Sequence, residues 1–419
     1  MIGIIDCNNF YASCERVFNP ALKDVPVIIY SNNDGAVIAR SEEAKALGIG
    51  MAVPMFEIKR LMKLHDIKGF SSNYTLYGDM SRRIKAIIRT FFKDVEDYSI
   101  DESFVDCDGL EYRVFFDYIK TARDKISHWF GVPVSIGVAE TKTLAKLANR
   151  IAKKQYRKIG VYIIDNEEKR LSALRSTEIN DVWGIGGRIT KRLNAKGIYT
   201  AYDLSLLDTD WAKANFSVVL QRTVYELKGI PCIPLELIPP GKQNIASQKS
   251  FGVYQTELEP IAEALANYTA RVAEKLRRQK CVAGGIEVWL GTNNFSKTDK
   301  QYFPSIHIVC DIPTDYTPYL IKRAVTGLKK IYRKEFLYKR VGVMLTDIRD
   351  ASDGTLNLFC PYTRQKEITV IKQVDRINRL LGRDTVRSAQ QGFVADWRMK
   401  QESLSGFFTT RLSDIIEIK

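Results

Sequence analysis

The sequence predicts an α+β multidomain chain: a ferredoxin-like sheet carrying a small insertion, then a helical unit, then a second α+β unit and a C-terminal region. Three observations predict it. At 419 residues the chain exceeds what one hydrophobic core serves, and roughly two to four domains are expected. Up to residue 165, short β-branched runs and amphipathic stretches follow the order β-α-(insertion)-α-β-β-α-β-α-β. A turn-rich linker, Leu237-Ile238-Pro239-Pro240-Gly241-Lys242, then precedes a later block of alternating strands and helices.

Residues 2 to 6 read as an apolar strand ending in Asp6, and a helix starts around Asn8-Asn9-Phe10-Tyr11 with asparagine as a natural cap. Residues 26–30 and 36–39 read as paired strands around the turn Ser31-Asn32-Asn33-Asp34-Gly35. Helices near 41–47 and 54–63 complete a block that ends at about Ser72 and forms the insertion. Tyr77, Met80, Ile84, Ile87, Ile88 and Phe91 recur at three- and four-residue steps, one core-facing stripe of a helix over 74–92. Two strands, marked by Val95, Phe104 and Val105, flank Asp101-Glu102. A helix over 113–130, a strand over 132–138, a helix over 142–154 and a strand over 161–164 close this part. Residues 179–199 read as helix, Trp183-Gly184-Ile185-Gly186-Gly187, and helix again, with Gly197 as C-cap. Past the linker, strands at 285–290, 305–310 and 341–345 alternate with helices at 260–278 and 319–332, and the signal weakens from Ala351.

Composition narrows the function classes. A balance of 45% hydrophobic and 27% charged residues belongs to a folded globular chain and excludes a disordered one. The net charge of +14 favours a polyanionic partner. No apolar run approaches a membrane span, and the start lacks the basic region and the length of a signal peptide, so no membrane partner is expected. Seven scattered cysteines without a C-x-x-C pair read as reduced thiols of a cytoplasmic protein. His65, His128 and His307 have no ligand partner at helical spacing, so a bound metal would take oxygen ligands, which suits Mg²⁺.

Asp101 and Glu102, adjacent at the junction of two strands, cannot both be buried as bare charges and need a cation or a proton. A solvated hairpin turn is the alternative for such a pair alone; what lifts it is Asp6, a third acid at the end of another strand. In a ferredoxin-like layout the N-terminal strand can lie beside the strand that leads into the pair, so Asp6 would face Asp101 and Glu102. Lys142, Lys146, Arg150 and Lys153 form one stripe of the helix over 142–154, with no acid between Thr141 and Gly160, which points to phosphate contact. The Gly184-Ile185-Gly186 hairpin lets backbone N–H groups approach a phosphate without reading sequence, and it lacks the ending of a P-loop. Between Ile321 and Arg340 eight basic residues, Lys329, Lys330 and Arg333 among them, stand against the single acid Glu335. Leu356, Leu358 and Phe359 form an apolar run in a polar loop, which is either a partner-docking peptide or a local core staple. Three acids with basic elements converge on phosphoryl chemistry at nucleic acid, with two Mg²⁺ ions roughly 3.5–4 Å apart.

The runs Asp6-Cys7-Asn8-Asn9-Phe10-Tyr11-Ala12-Ser13-Cys14-Glu15, Ser31-Asn32-Asn33-Asp34-Gly35, Phe70-Ser71-Ser72-Asn73-Tyr74, Tyr98-Ser99-Ile100-Asp101-Glu102 and Lys142-Thr143-Leu144-Ala145-Lys146-Leu147-Ala148-Asn149 resemble the Y-family translesion DNA polymerases, in their UmuC-like branch, and the likeness runs over essentially the whole chain. The resemblance implies error-prone, template-directed DNA synthesis past damaged bases, from dNTP to a primer 3′-hydroxyl, in an SOS-type damage response. It implies that Asp6, Asp101 and Glu102 ligate two Mg²⁺ ions, with the Cys7 carbonyl helping the nucleotide-side one; within the pair, Asp101 is expected to bridge both ions and Glu102 to serve the primer-side one. It places Tyr11 as a steric gate against the sugar C2′, Lys45 and Lys153 on the incoming triphosphate, and Phe10 beside it through its backbone. The layout it implies is palm (1–20 and 74–165), fingers (21–73), a helix-hairpin-helix thumb (166–236), linker (237–244), little finger (245–349) and C-terminal region (350–419). Its implied partners are primer–template DNA, a processed UmuD-like dimer, a RecA filament and a sliding clamp, the last through a peptide with Thr355 where glutamine is usual. It also implies association with the nucleoid when DNA is bound. Two other readings remain open on the residues: a nucleotidyl cyclase-like palm enzyme and a non-catalytic DNA-binding scaffold.

Overall fold

The structure, a computed structural model, describes residues 1–109, 114–352, 364–393 and 397–417. The chain falls into two units, one of Met1–Ser31, Gly35–Pro239 and Glu402–Lys419, the other of Asn32–Asp34 and Pro240–Gln401.

The first unit opens with β1 (Ile2–Cys7) and α1 (Phe10–Phe18), followed by β2 (Val27–Tyr30), β3 (Val37–Arg40), α2 (Glu42–Ala46), α3 (Met55–Leu64) and β4 (Lys68–Ser71). Next come α4 (Tyr74–Phe91), β5 (Val95–Glu96), β6 (Glu102–Asp106), α5 (Phe115–Phe130), β7 (Val134–Ala139), α6 (Lys142–Lys154) and β8 (Val161–Ile163). The main sheet has the order β5-β6-β1-β7-β8, with β1 antiparallel to both of its neighbours. Successive side chains of β1 serve opposite faces: Ile5 and Cys7 enter the core with α4 and α5, while Ile4 enters the core with α6. The insertion is a separate sheet, β3-β2-β4, with its own small core of Ile28, Tyr30, Val37, Ile49, Ile58 and Ile67.

In this unit one strand pairing and two elements differ from the sequence reading. The neighbour of β1 is β6, the strand that leaves the acid pair, whereas β5, which leads into it, is a two-residue edge strand. Phe104 and Val105 give β6 fully buried side chains for both faces, and five residues of β1 pair along it. β4 was not anticipated, because Lys68-Gly69-Phe70-Ser71 carries little apolar signal and is held by parallel pairing to β2. The helix expected before the glycine turn is a single 3₁₀ turn at Ile179–Asp181, since the Ile179 N–H is taken by the Tyr199 carbonyl. The helices α7 (Glu167–Ser176), α8 (Gly187–Asn194), α9 (Ala201–Ser205), α10 (Thr209–Asn215) and α11 (Val218–Leu227) complete the unit against α6.

Helix α6 lies so close to β7 that a Cβ on Gly137 would stand 2.1 Å from the Asn149 backbone nitrogen and 2.4 Å from the Ala145 carbonyl oxygen. Backbone cannot give way as a flexible side chain does. Gly137→Ala is therefore expected to destabilise the first unit by about 3 kcal/mol, read as a lower chemical-denaturation midpoint.

The second unit contains β9 (Ile245–Gln255), α12 (Leu258–Arg278), β10 (Cys281–Gly291), β11 (Ser305–Thr314), α13 (Thr317–Ile331), β12 (Tyr338–Asp350) and α14 (Arg364–Leu380). Its antiparallel sheet has the order β11-β10-β12-β9 and shares a core with α12 and α13 through Leu265, Val272, Leu320, Leu328, Ile286 and Val343. β9 escaped the sequence reading because it is an edge strand on which Ile245 and Phe251 alone among its residues are buried. No helix among the described residues is long and apolar enough to cross a membrane.

Candidate active site

Asp6 shares a face of β1 with Ile4, and Glu102 shares a face of β6 with Phe104; both faces meet α6. The two acids are paired in register across the ladder. From α6, Lys153 Nζ lies 2.5 Å from Asp6 Oδ2, and Lys146 Nζ lies 2.9 and 3.2 Å from the two Glu102 carboxylate oxygens. Seven residues are close to two helical turns, so both lysines leave α6 on the same side. Asp101 sits in the turn before β6, where its carbonyl accepts the Cys7 N–H at 2.9 Å. Ser99 organises this turn: its hydroxyl donates to Asp101 Oδ1 at 2.6 Å and accepts the Glu102 N–H at 3.0 Å.

Two adjoining cavities meet at Asp6. One, of about 430 Å³, is bordered by Asp6, Asp101, Phe10, Tyr11, Arg40, Lys45 and Lys153. The other, of about 850 Å³, is bordered by Asp6, Glu102, Lys146, Arg150, Lys153 and Trp183. Burial pushes the Asp6 carboxyl up to about 6; Lys153 pulls it down, and the charges of Glu102 and Asp101 push it further up. Among the described residues no three His, Cys, Asp or Glu side chains converge as a cation site, and Asp6 and Glu102 are turned onto lysines instead.

The basic stripe of α6 is thereby corrected: it is not left unneutralised. Lys142 pairs with Glu96, Lys146 with Glu102, Arg150 with Asp181 and Lys153 with Asp6. The acids arrive from β5, β6, the 3₁₀ turn and β1, all remote from the helix in sequence. Lys142, 2% exposed, is enclosed and faces no solvent that a phosphate could share.

On α1, the Tyr11 ring stacks on Tyr77 with centroids 4.5 Å apart and planes 16° apart, and meets Tyr74 edge-on at 6.1 Å. Burial raises its hydroxyl to about 12, so it stays a neutral phenol. Asn9 begins α1 in the left-handed region at φ 50° and does not cap with its side chain. That side chain instead donates to Glu42 Oε1 at 3.0 Å and accepts from Lys45 Nζ at 2.6 Å. Lys45 also reaches Glu42 Oε1 at 2.7 Å, and Arg157 pairs with the other Glu42 oxygen. Burial raises the Glu42 carboxyl, but the bonds from Lys45 and Asn9 with the charges of Lys45 and Arg157 outweigh it and bring it down to about 2. Phe10 is 3% exposed, its ring in the core. The Cys7 thiol is pushed far up by burial and then by Asp6, which removes it as a nucleophile.

In the glycine turn, Gly184 holds φ 84°, Gly184 and Gly186 are exposed, and Ile185 is buried with its N–H donating to the Val182 carbonyl at 3.0 Å. The adjacent Trp183 docks on the acid-bearing loop: its Nε1 donates to the Tyr98 hydroxyl at 3.0 Å, and Lys146 lies over both rings at 5.4 and 4.6 Å. In the second unit Lys329 and Lys330 are exposed in the last turn of α13, and Arg333 lies over the Tyr302 ring at 5.1 Å. Leu356, Leu358 and Phe359 fall outside the described residues. Sequence reasoning did not single out Ser99, Asn9, Arg40, Tyr74 or Tyr77 for the site. Tyr77 carried only a helical-period signal, which reads as core.

Residues 5–150 match the model of the impB/mucB/samB family, residues 242–358 that of its C-terminal domain, and residues 369–418 a domain of unknown function (DUF4113). Protein UmuC of Salmonella typhimurium is 41% identical over 422 residues, covering 100% of both chains. Protein ImpB of the same organism is 38% identical, covering 99% of both. A solved Y-family DNA polymerase chimera, Dbh-Dpo4(243-245)-Dbh, shares the fold with a TM-score of 0.69 at 20% identity, over 84% of this chain and 100% of its own. The chain belongs to the impB/mucB/samB family, the UmuC-like branch of the Y-family DNA polymerases, which are DNA-directed enzymes of translesion synthesis.

Proposed function

We propose that the chain adds deoxynucleotides to a primer 3′-hydroxyl opposite damaged template bases, with two Mg²⁺ ions held by Asp6, Asp101, Glu102 and the Cys7 carbonyl. The observation that carries this reading is the in-register pairing of Asp6 with Glu102, with Asp101 in the adjoining turn, beside a cavity bordered by Tyr11. The donor set fits Mg²⁺: it is hard oxygen throughout, and burial, with the charges of Glu102 and Asp101, pushes the Asp6 carboxyl up against the pull of Lys153, a cost to its charged form that a divalent ion relieves. When bound, such ions supply charge stabilisation at the transferring phosphoryl group and at the attacking and leaving oxygens.

The chain's own residues divide the remaining work. Asp6 borders both cavities; Asp101, which joins it on the Tyr11 side, would hold both ions, and Glu102, on the other side, would serve the primer-side one. Lys153, which balances Asp6 and borders both cavities, and Lys146, which balances Glu102 and borders the larger one, stand within reach of a phosphate that enters there. Lys45, steadied by Asn9 and Glu42, borders the nucleotide side, where Phe10 lines the wall. The Tyr11 ring stands where a sugar 2′-hydroxyl would collide with it. The exposed Gly184 and Gly186, with Ile185 buried between them and its N–H spent on the Val182 carbonyl, carry the duplex backbone in the thumb (166–236), and Lys329, Lys330 and Arg333 in the little finger (245–349). The processed UmuD-like dimer, the RecA filament and a sliding clamp are the proposed partners, the clamp through Leu356, Leu358 and Phe359.

Primer extension on an undamaged template tests the reading: templated addition that requires Mg²⁺ and stops with chelator is expected. Binding of primer–template with no addition under any divalent metal would leave a scaffold. Tyr11→Ala is expected to raise ribonucleotide insertion relative to deoxynucleotide insertion by at least about tenfold, in the ratio of kcat/KM values. Unchanged sugar selectivity removes Tyr11 as the gate.

A further inference from the structure

The end of the chain, residues 402–417, belongs to the first unit and packs behind α1 and α4, the helices that carry Tyr11, Tyr74 and Tyr77. It continues the edge of β4: the Ser71 N–H donates to the Ser403 carbonyl at 2.9 Å, and the Ser403 N–H to Ser71 Oγ at 3.0 Å. Asn73, 1% exposed, then does two jobs. Its Oδ1 caps α4 by accepting the Leu76 N–H at 3.1 Å, while its Nδ2 donates to the Ser405 hydroxyl at 3.0 Å and to the Ser405 and Gly406 carbonyls at 3.2 Å. Phe408 stacks on Phe18 of α1 with centroids 5.0 Å apart and planes 19° apart.

The decisive contact is at Glu15, one helical turn past Tyr11 and 2% exposed. A carboxylate so enclosed must be hydrogen-bonded, and two hydroxyls donate to the same oxygen. Tyr77 reaches Glu15 Oε1 at 2.6 Å, and Ser405 reaches it at 2.9 Å. Burial raises the Glu15 carboxyl, and these two bonds work against that rise. The Glu15–Tyr77 bond fixes the ring on which Tyr11 stacks at 4.5 Å. An unbroken chain of contacts therefore runs Ser405, Glu15, Tyr77, Tyr11, from the 402–417 segment to the wall of the nucleotide cavity.

We propose that the C-terminal segment is a positioning element for Tyr11, with the Ser405–Glu15–Tyr77 hydrogen bonds setting the ring platform and hence the discrimination between deoxyribose and ribose. This rests on Tyr11 being the sugar gate. It assigns a role to part of the segment that matches a domain of unknown function. Ser405 touches no substrate and acts through Tyr77.

The test is the ratio of kcat/KM for a deoxynucleotide to that for the matching ribonucleotide, measured with full-length chains on one primer–template. A merely destabilising change lowers the amount of active enzyme and cancels in this ratio. Ser405→Ala is expected to lower the ratio about three- to tenfold, part of the worth of one bond to a charged group passed on through Tyr77, while deoxynucleotide insertion largely persists. Ser405→Thr, which keeps the hydroxyl, is expected to stay near the wild-type ratio. Tyr77→Phe, which keeps the ring and removes its bond to Glu15, is expected to lower the ratio, and Ser405→Ala on that background to add little, since both act through one carboxylate. If Tyr11→Ala relaxes the ratio while Ser405→Ala and Tyr77→Phe leave it unchanged, the positioning role is overturned and the gate stands. If Tyr11→Ala leaves the ratio unchanged, the gate itself falls and the positioning role with it.

Discussion

Asp101→Ala is expected to cut templated primer extension by about three orders of magnitude or more, the several kcal/mol that metal-held charge contributes at a transferring phosphoryl group. The substitution separates chemistry from folding unusually well. What the Asp101 side chain holds is the Ser99 hydroxyl, while its backbone carbonyl, which alanine retains, accepts the Cys7 N–H at 2.9 Å and ties the turn to β1. Single-turnover insertion with saturating Mg²⁺ measures the loss, and a melting curve on the same sample shows whether the fold survives. A folded Asp101→Ala chain that extends primers at the wild-type rate would remove the acid trio as the catalytic centre.

The second large effect is on stability, at Lys142 and Glu96. Both side chains are almost wholly enclosed, at 2% and 8% exposure, and they form a direct ion pair. Lys142 Nζ also donates to the Pro234 carbonyl at 2.8 Å and lies 4.8 Å from the centre of the Phe104 ring. The Glu96 carboxylate accepts the Glu236 N–H at 2.8 Å, so the pair fastens the chain after α11 to the edge of the main sheet. Lys142→Met leaves the carboxylate enclosed without its counter-charge, and a loss of about 3–5 kcal/mol is expected. Adding Glu96→Gln removes the stranded charge while keeping an acceptor for Glu236, and is expected to restore more than half of that loss. Urea denaturation of the two variants checks both statements. A Lys142→Met chain as stable as wild type would contradict an enclosed pair.

The periodic parts of the first unit were legible from sequence. The strand ending in Asp6, the helix over 74–92 and the helix over 142–154 all announce themselves by spacing, and α6 runs from Lys142 to Lys154. The three acids could be named because strand ends before turns are where polar side chains escape the core. What was not legible lies in contacts between residues far apart in the chain. No local window shows that Glu96, Glu102, Asp181 and Asp6 will each meet one cation of α6. Register is equally nonlocal: β1 could have paired with either strand flanking the acids, and the buried Phe104 and Val105 of β6 decided it. β4 and β9 lack alternation because pairing, more than burial, holds them. Tyr77 shows the limit most plainly. Its helical spacing marks it correctly as core, yet its role depends on one hydroxyl bonding to Glu15 and one ring face meeting Tyr11.

The most direct measurement is insertion opposite a single template abasic site. The full-length chain is given primer–template, dNTP and Mg²⁺, with and without a processed UmuD-like dimer and a RecA filament. Addition of a nucleotide opposite the lesion, abolished by chelator and by Asp101→Ala, is the expected result. Tight primer–template binding with no insertion opposite lesion or intact base, whatever the metal and with both partners supplied, would contradict polymerisation at Asp6, Asp101 and Glu102.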